Sequence, residues 1–243
     1  MNKSISIPAK SVVALIVSLV ANLLLCAGVV FFSPDLNSFA VSFLPDELVN
    51  LENFPGLSGN GDDELTNENY EEVMNQKATA IARKIKMTGE ETPAEDFTYD
   101  IYGDNNIRIT SYTGVDTRVV IPAMIDKMPV TAIGSHCFEN NIYLSEVVLP
   151  DTIVYIDEYA FAYCEKLSSV ELPAYLFRIA ESGFNGDLSL TKVTARADMN
   201  GKSYGVRQVG SSAFENCAAL SEASGVEAAV ELGDSCFMNC GAL

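Results

Sequence analysis

What this chain lacks narrows its function first. Among 243 residues there is one histidine, His136, and only 15 lysines and arginines against 33 aspartates and glutamates, a net charge of −18. A chain this acidic has no electrostatic footprint for nucleic acid, which requires clustered Lys and Arg. No CxxC pair occurs, and a single histidine does not complete a Cys/His zinc set. No glycine-rich phosphate loop is present, and no nucleophile stands beside a base. His136, just before Cys137, reads as a surface turn residue. The sequence therefore predicts a non-enzyme with no metal, no cofactor and no nucleic-acid partner.

Three ladders share one period. An aromatic stands at Phe138, Phe161, Phe184, Phe214 and Phe237, with steps of 23, 23, 30 and 23. Leu144, Leu167, Leu190, Leu220 and Leu243 follow the same steps, as do Ile133, Ile156, Ile179, Val209 and Leu232. A unit this short cannot bury its own apolar face and must stack on a neighbour, so the period predicts a solenoid. In the unit 145–167, Val147 and Leu149 alternate with Glu146 and Val148, as in a short half-buried strand. Pro150 and Asp151 end it. Asp157–Cys164 is expected to form one helical or 3₁₀ turn, and stacked strands to form a parallel ribbon.

Five of the six cysteines obey the repeat. Cys164, Cys217 and Cys240 fall three residues after the aromatic, and Cys137 and Cys236 just before it, where other units have alanine or glycine. Positions that exchange in this way predict small buried thiols. A Cys236–Cys240 bridge is the alternative.

These residues resemble the BspA-like leucine-rich repeats of bacterial and protist surface proteins. The matching motifs are VVLP at 147–150, AFAYC at 160–164, VELP at 170–173 and AFENC at 213–217, preceded by RITSYTG and VVIPAMIDKMPVTAIG in the opening unit 97–134. Lys127 stands where the family often has glycine, and the unit after Thr191 lacks its Leu-Pro. The resemblance covers 97–243 and implies an α/β leucine-rich-repeat-like solenoid of short parallel strands and turns. It also implies surface binding or adhesion of varied specificity.

The rest of the chain divides by composition. Residues 1–10 carry Lys3 and Lys10 and no acid, and 11–32 carry no charge at all. At 1.5 Å per residue a 22-residue helix would span about 33 Å, enough for a hydrocarbon core of about 30 Å. The flanking charges then predict a cytoplasmic N-terminus and an extracellular remainder. A cleaved signal ending near Ala40 is the alternative, which would make the protein secreted. Residues 33–68 read as an acidic spacer, and 69–89 as an amphipathic helix capping the solenoid's first unit. The solenoid, 97–243, ends on Leu243 in the leucine slot, which predicts a truncated array.

The expected function is a membrane-anchored repeat protein binding a protein or glycan at the cell surface. If Val147 and Leu149 face inward, the alternate residues form exposed ladders: Glu146, Ser169, Lys192 and Glu222, then Val148, Glu171, Thr194 and Ser224. The fourth unit is seven residues longer than its neighbours, the excess lying in Ala195–Gly205. Insertions in solenoids often line a binding face, so Arg196, Lys202 and Tyr204 join the candidate site. The alternative reading is a structural or accessory subunit of a membrane assembly, or the non-catalytic part of a larger surface enzyme.

Overall fold

The computed structural model describes residues 69–82, 90–103 and 105–243. The predicted cytoplasmic segment 1–10, apolar run 11–32, spacer 33–68 and the last turns of the predicted helix, 83–89, lie outside the described residues. Among the described residues no helix is long and apolar enough to cross a membrane.

The chain opens with helix α1 (Tyr70–Ala82), a single 3₁₀ turn (Ala94–Asp96) and the antiparallel hairpin β1 (Phe97–Tyr102) and β2 (Asn106–Tyr112). Strands β3 (Arg118–Val120), β4 (Met124–Ile125) and β5 (Met128–Ile133) complete the opening unit. β4 and β5 form a second hairpin whose two turn residues, Asp126 and Lys127, have φ of 50° and 65°. A two-residue hairpin turn of this kind needs positive φ at both positions, which explains why glycine suits position 127.

Each later coil contributes two short strands: β6 (Glu146–Val148) and β7 (Tyr155–Ile156), β8 (Ser169–Leu172) and β9 (Arg178–Ile179), β10 (Lys192–Ala195) and β11 (Gln208–Val209), β12 (Glu222–Ala223) and β13 (Glu231–Leu232). They stack into two ribbons, not the single one the sequence suggested. In ribbon one, β3 pairs with β6, and β8, β10 and β12 pair in order, all parallel. In ribbon two, β5, β7, β9, β11 and β13 pair in order, also parallel.

The core lies between the ribbons, where the sequence ladders converge. Ile156, Phe161, Cys164 and Leu167 are wholly buried, as are their repeat-mates Ile179, Phe184 and Leu190. The five predicted rings stack: centroids are 5.0 Å apart for Phe138–Phe161, 5.1 Å for Phe161–Phe184, and 5.3 Å for both Phe184–Phe214 and Phe214–Phe237. Tyr112 (5.4 Å from Phe138) and Phe97 (5.3 Å from Tyr112) extend the spine into the opening unit. Each buried ring contributes about 1.5–3 kcal/mol of transfer free energy, with about 0.5–1.5 kcal/mol more per stacked pair.

The described cysteines are free, with Cys137, Cys164, Cys217 and Cys236 buried and Cys240 partly so. No Cys236–Cys240 bridge forms. The thiols have a task the spacing did not reveal. Cys164 Sγ donates to the Phe138 carbonyl, Cys217 Sγ to that of Phe184 and Cys240 Sγ to that of Phe214, each at 3.1 Å. Each of these three thiols thus ties its coil to the one before. Burial pushes the Cys164 and Cys217 thiols far above the ordinary range, so they remain protonated donors.

The segment 157–164 is neither an α-helix nor a 3₁₀ helix, which corrects the sequence expectation. Residues two before and two after each spine ring have positive φ: His136 and Asn140, Tyr159 and Tyr163, Ser182 and Gly186, Ser212 and Asn216, Ser235 and Asn239. Left-handed residues break a helix and swing alternate N–H groups toward the next coil. Tyr159 N, Phe161 N and Tyr163 N donate to the carbonyls of Glu181, Gly183 and Asn185. The intervening Ala160 N, Ala162 N and Cys164 N close local turns onto Asp157, Tyr159 and Phe161.

Candidate interaction face

Ribbon one presents the predicted ladders. Along β6, β8 and β10 the inward residues Val147, Leu149, Val170, Leu172 and Val193 are buried. The alternate residues Glu146, Ser169, Glu171 and Lys192 are exposed, and Val148 and Thr194 half-buried. Strand register sets Lys192 beside Ser169 and Glu222, and Thr194 beside Glu171. β3 adds a member that the period missed, Arg118, in register with Glu146. The repeated VV-Ile/Leu-Pro motif that follows both residues, VVIP after Arg118 and VVLP after Glu146, was the signal for it.

The face is internally charge-paired. Arg118 meets Glu146 at 3.0 Å, and Lys192 meets Glu222 at 3.0 Å. Both pairs are about half exposed, so each is worth roughly 0–1 kcal/mol. Ser169, Val148 and Thr194 lie among them without charge.

Arg196, at the end of β10, is held by partners from two earlier coils. Its guanidinium reaches Asp151 at 2.8 Å, Glu171 at 3.0 Å and the Leu149 carbonyl at 3.3 Å. Asp151 also caps the next turn by accepting from Ala174 N. The residue chosen as a contact candidate is therefore also a tie across three coils.

The inserted segment is folded back on itself. Asp198, buried, accepts from Asn200 N and Lys202 N through its carboxylate, and its own N–H donates to the Lys202 carbonyl. Lys202 is exposed. Tyr204 is half-buried, its ring 5.7 Å from that of Tyr175, with the Lys202 and Lys77 ammonium groups 5.1 Å and 5.5 Å from its centroid. The structure thus keeps Glu171, Thr194 and Arg196 in one neighbourhood. Tyr204 belongs to a different surface, beside helix α1.

That helix corrects another expectation. Tyr70, Met74, Ala78, Ile81 and Ala82 form its buried stripe, at the predicted helical spacing. The stripe touches the opening unit at β5 but does not stop there; it packs on Val154, Ala174, Tyr175 and Phe177 of two later coils. Tyr70 Oη donates to the carbonyls of Tyr204 and Gly205, and Tyr155 Oη donates to Glu71. Burial pushes the Tyr70 phenol up to about 12. α1 is a flank strap along several coils, because the apolar residues preceding each ribbon-two strand repeat with the coil and give it a continuous track.

His136 lies exposed in a turn, its ring stacked at 5.1 Å on Tyr159 and bonded to Glu139 at 2.8 Å. Among the described residues no group of three or more His, Cys, Asp or Glu side chains is placed to hold a metal.

A profile of the BspA type leucine-rich repeat region matches residues 131–243 in six copies. Among solved structures, a T. pallidum leucine-rich repeat protein is 30% identical, with 63% of this chain and 69% of that one aligned at a TM-score of 0.58. A leucine-rich repeat protein from Bacteroides capillosus is 27% identical over 55% of this chain and 96% of its own, with a TM-score of 0.43. A leucine-rich cell surface protein from Faecalibacterium prausnitzii is 25% identical over 61% and 34%, with a TM-score of 0.41. No curated protein matches. Two parallel ribbons around a phenylalanine spine, six matched repeats and a 30% identical relative place the chain in one group: it belongs to the BspA-type leucine-rich repeat family.

Proposed function

We propose that the chain is a membrane-anchored interaction protein that binds a partner protein through the outer face of ribbon one. The observation that carries this reading is the in-register display of Glu146 beside Arg118, of Ser169 beside Lys192 and of Glu171 beside Thr194, on strands whose alternate residues are sunk in the core. Such strands are rigid, so a partner meets side chains already positioned, and little ordering entropy opposes binding. The uncharged run 11–32 supports an anchor with the repeats outside the cell. Glycan is the other ligand class consistent with a face of paired charges and hydroxyls.

The test is site-specific photocross-linking in intact cells. A benzophenone side chain at Ser169 or Lys192 is expected to give one discrete protein adduct, while the same group at exposed Glu165, on the turns, gives none. Adducts only from the turn position, or from neither face, would remove ribbon one from the proposal. Protease added outside the cell should cleave the repeats; protection would reverse the assigned orientation.

A further inference from the structure

Two coils break the thiol pattern three residues after the ring, where Cys164, Cys217 and Cys240 stand in their coils. Asn141 fills the slot in the Phe138 coil and closes its own turn by accepting from Tyr143 N and Leu144 N. The second exception, Asp187 in the Phe184 coil, has no such local partners. Its side chain is wholly buried. Oδ1 accepts from Cys164 N at 2.8 Å, and Oδ2 has no partner.

The thiol-bearing coils indicate what belongs there. In each, the side chain in this slot donates to the carbonyl of the ring one coil back: Phe138, Phe184 and Phe214. The equivalent acceptor for Asp187 is the Phe161 carbonyl, which takes only the local turn bond from Cys164 N. A carboxylate has no hydrogen to give, whereas a carboxylic acid has one. We propose that Asp187 is a protonation latch: as the neutral acid it donates from Oδ2 to the Phe161 carbonyl, and its ionisation unfastens the middle of the array.

The surroundings agree. The titratable groups facing Asp187 are the Cys164 and Cys217 thiols, both buried and held protonated. The charged side chains on the adjoining turns, Glu165, Lys166 and Glu215, are exposed or half-exposed. Burial drives the Asp187 carboxyl well above the carboxylate range, opposed only by the Cys164 N–H. The sign follows from linkage. Because the folded state binds this proton more tightly, the latch's contribution is complete below the unfolded value of about 3.9. It is lost as pH rises through the folded value. The array is therefore tightest in acid and loosens between the Phe161 and Phe184 coils as the medium becomes neutral or alkaline.

The experiment uses the full chain labelled with ¹³C-aspartate, with Asp187→Asn and Asp187→Cys as variants. Asn keeps the acceptor and adds a fixed donor, and Cys restores the residue of the other coils. The Asp187 carboxyl signal is expected to remain that of the neutral acid at about pH 5, above the ordinary carboxylate value. In urea unfolding, the variants and the parent should match near pH 4 and diverge as pH rises, reaching at least about a tenfold difference in folded-to-unfolded ratio by about pH 8. Hydrogen exchange at the Cys164 amide should accelerate with pH, beyond the intrinsic rate, in the parent alone. A carboxyl already ionised at about pH 5, or a stability gap that does not change with pH, would overturn the proposal. The carboxyl titration of the parent decides the matter even where a variant fails to fold.

Discussion

Replacing Arg196 by alanine tests whether the ribbon-one face can be probed without loosening the coils beneath it. Three contacts are lost, and they are not equal. The bond to Asp151 is charge-assisted, with the two side chains 27% and 18% exposed, and such a bond contributes about 1.5–3 kcal/mol. The pair with Glu171, whose side chain is 61% exposed, contributes roughly 0–1 kcal/mol and is screened by salt. The Leu149 carbonyl contact at 3.3 Å is the weakest. The total, about 1.5–4 kcal/mol, is dominated by Asp151. Urea unfolding of single and double variants separates the contributions. Coupling of Arg196 to Asp151 is expected at about 1–2 kcal/mol. Coupling to Glu171 should stay below about 0.5 kcal/mol and vanish in high salt. A larger coupling to Glu171 than to Asp151, or a cost for Arg196→Ala below about 0.5 kcal/mol, would refute the reasoning. One practical result follows. Lost binding in an Arg196 variant reports on the scaffold as well as the contact, whereas Lys192 on the same face, paired with exposed Glu222, can be altered with little of that ambiguity.

Three further outcomes are expected. Phe161→Leu, which removes a wholly buried ring with two stacked neighbours, should cost about 1–3 kcal/mol more than Phe237→Leu, which removes a partly exposed ring with one; equal shifts in denaturation midpoint would contradict an additive spine. Lys127→Gly should stabilise the β4–β5 hairpin by about 1 kcal/mol, since φ of 65° costs glycine nothing. Thermal unfolding measures it, and a loss would mean that the lysine makes a contact worth more than the strain. Gly186→Ala should destabilise by about 1–3 kcal/mol, because φ is +77° and the new Cβ would lie 2.5 Å from a Tyr163 ring carbon. In a Tyr163→Ala background only the dihedral part, about 1 kcal/mol, should remain.

The stacked core was readable because three apolar positions recur in step, and a side chain in a solenoid has the same neighbours in every coil. Phe161, Leu167 and Ile156 could each be assigned inward from the period alone. Ribbon two was hidden because Tyr155–Ile156 and Arg178–Ile179 are too short for alternation to register. The left-handed pairs were concealed where Tyr159, Tyr163 and His136 occupy positions that Ser, Asn and Gly fill elsewhere. For α1, the stripe of Tyr70, Met74 and Ala78 declared that a partner existed; its identity depends on how Val154 and Phe177 line up across coils. Arg196 shows the same limit. Its partners Glu171 and Asp151 lie 25 and 45 positions upstream, distances that become contacts only once the coils are stacked. Asp187 was visible as an exception to the cysteine pattern, but the thiol-to-carbonyl bonds that give the exception meaning were not.

The paired left-handed residues bracket every ring at a constant separation: 136 and 140, 159 and 163, 182 and 186, 212 and 216, 235 and 239. The coil with the long insertion keeps this spacing, its extra length falling between β10 and β11. Growth of such a chain is thereby channelled: the corner that carries the rings is a fixed gauge, while the opposite span between the two ribbons can lengthen and acquire new surface without disturbing the stack.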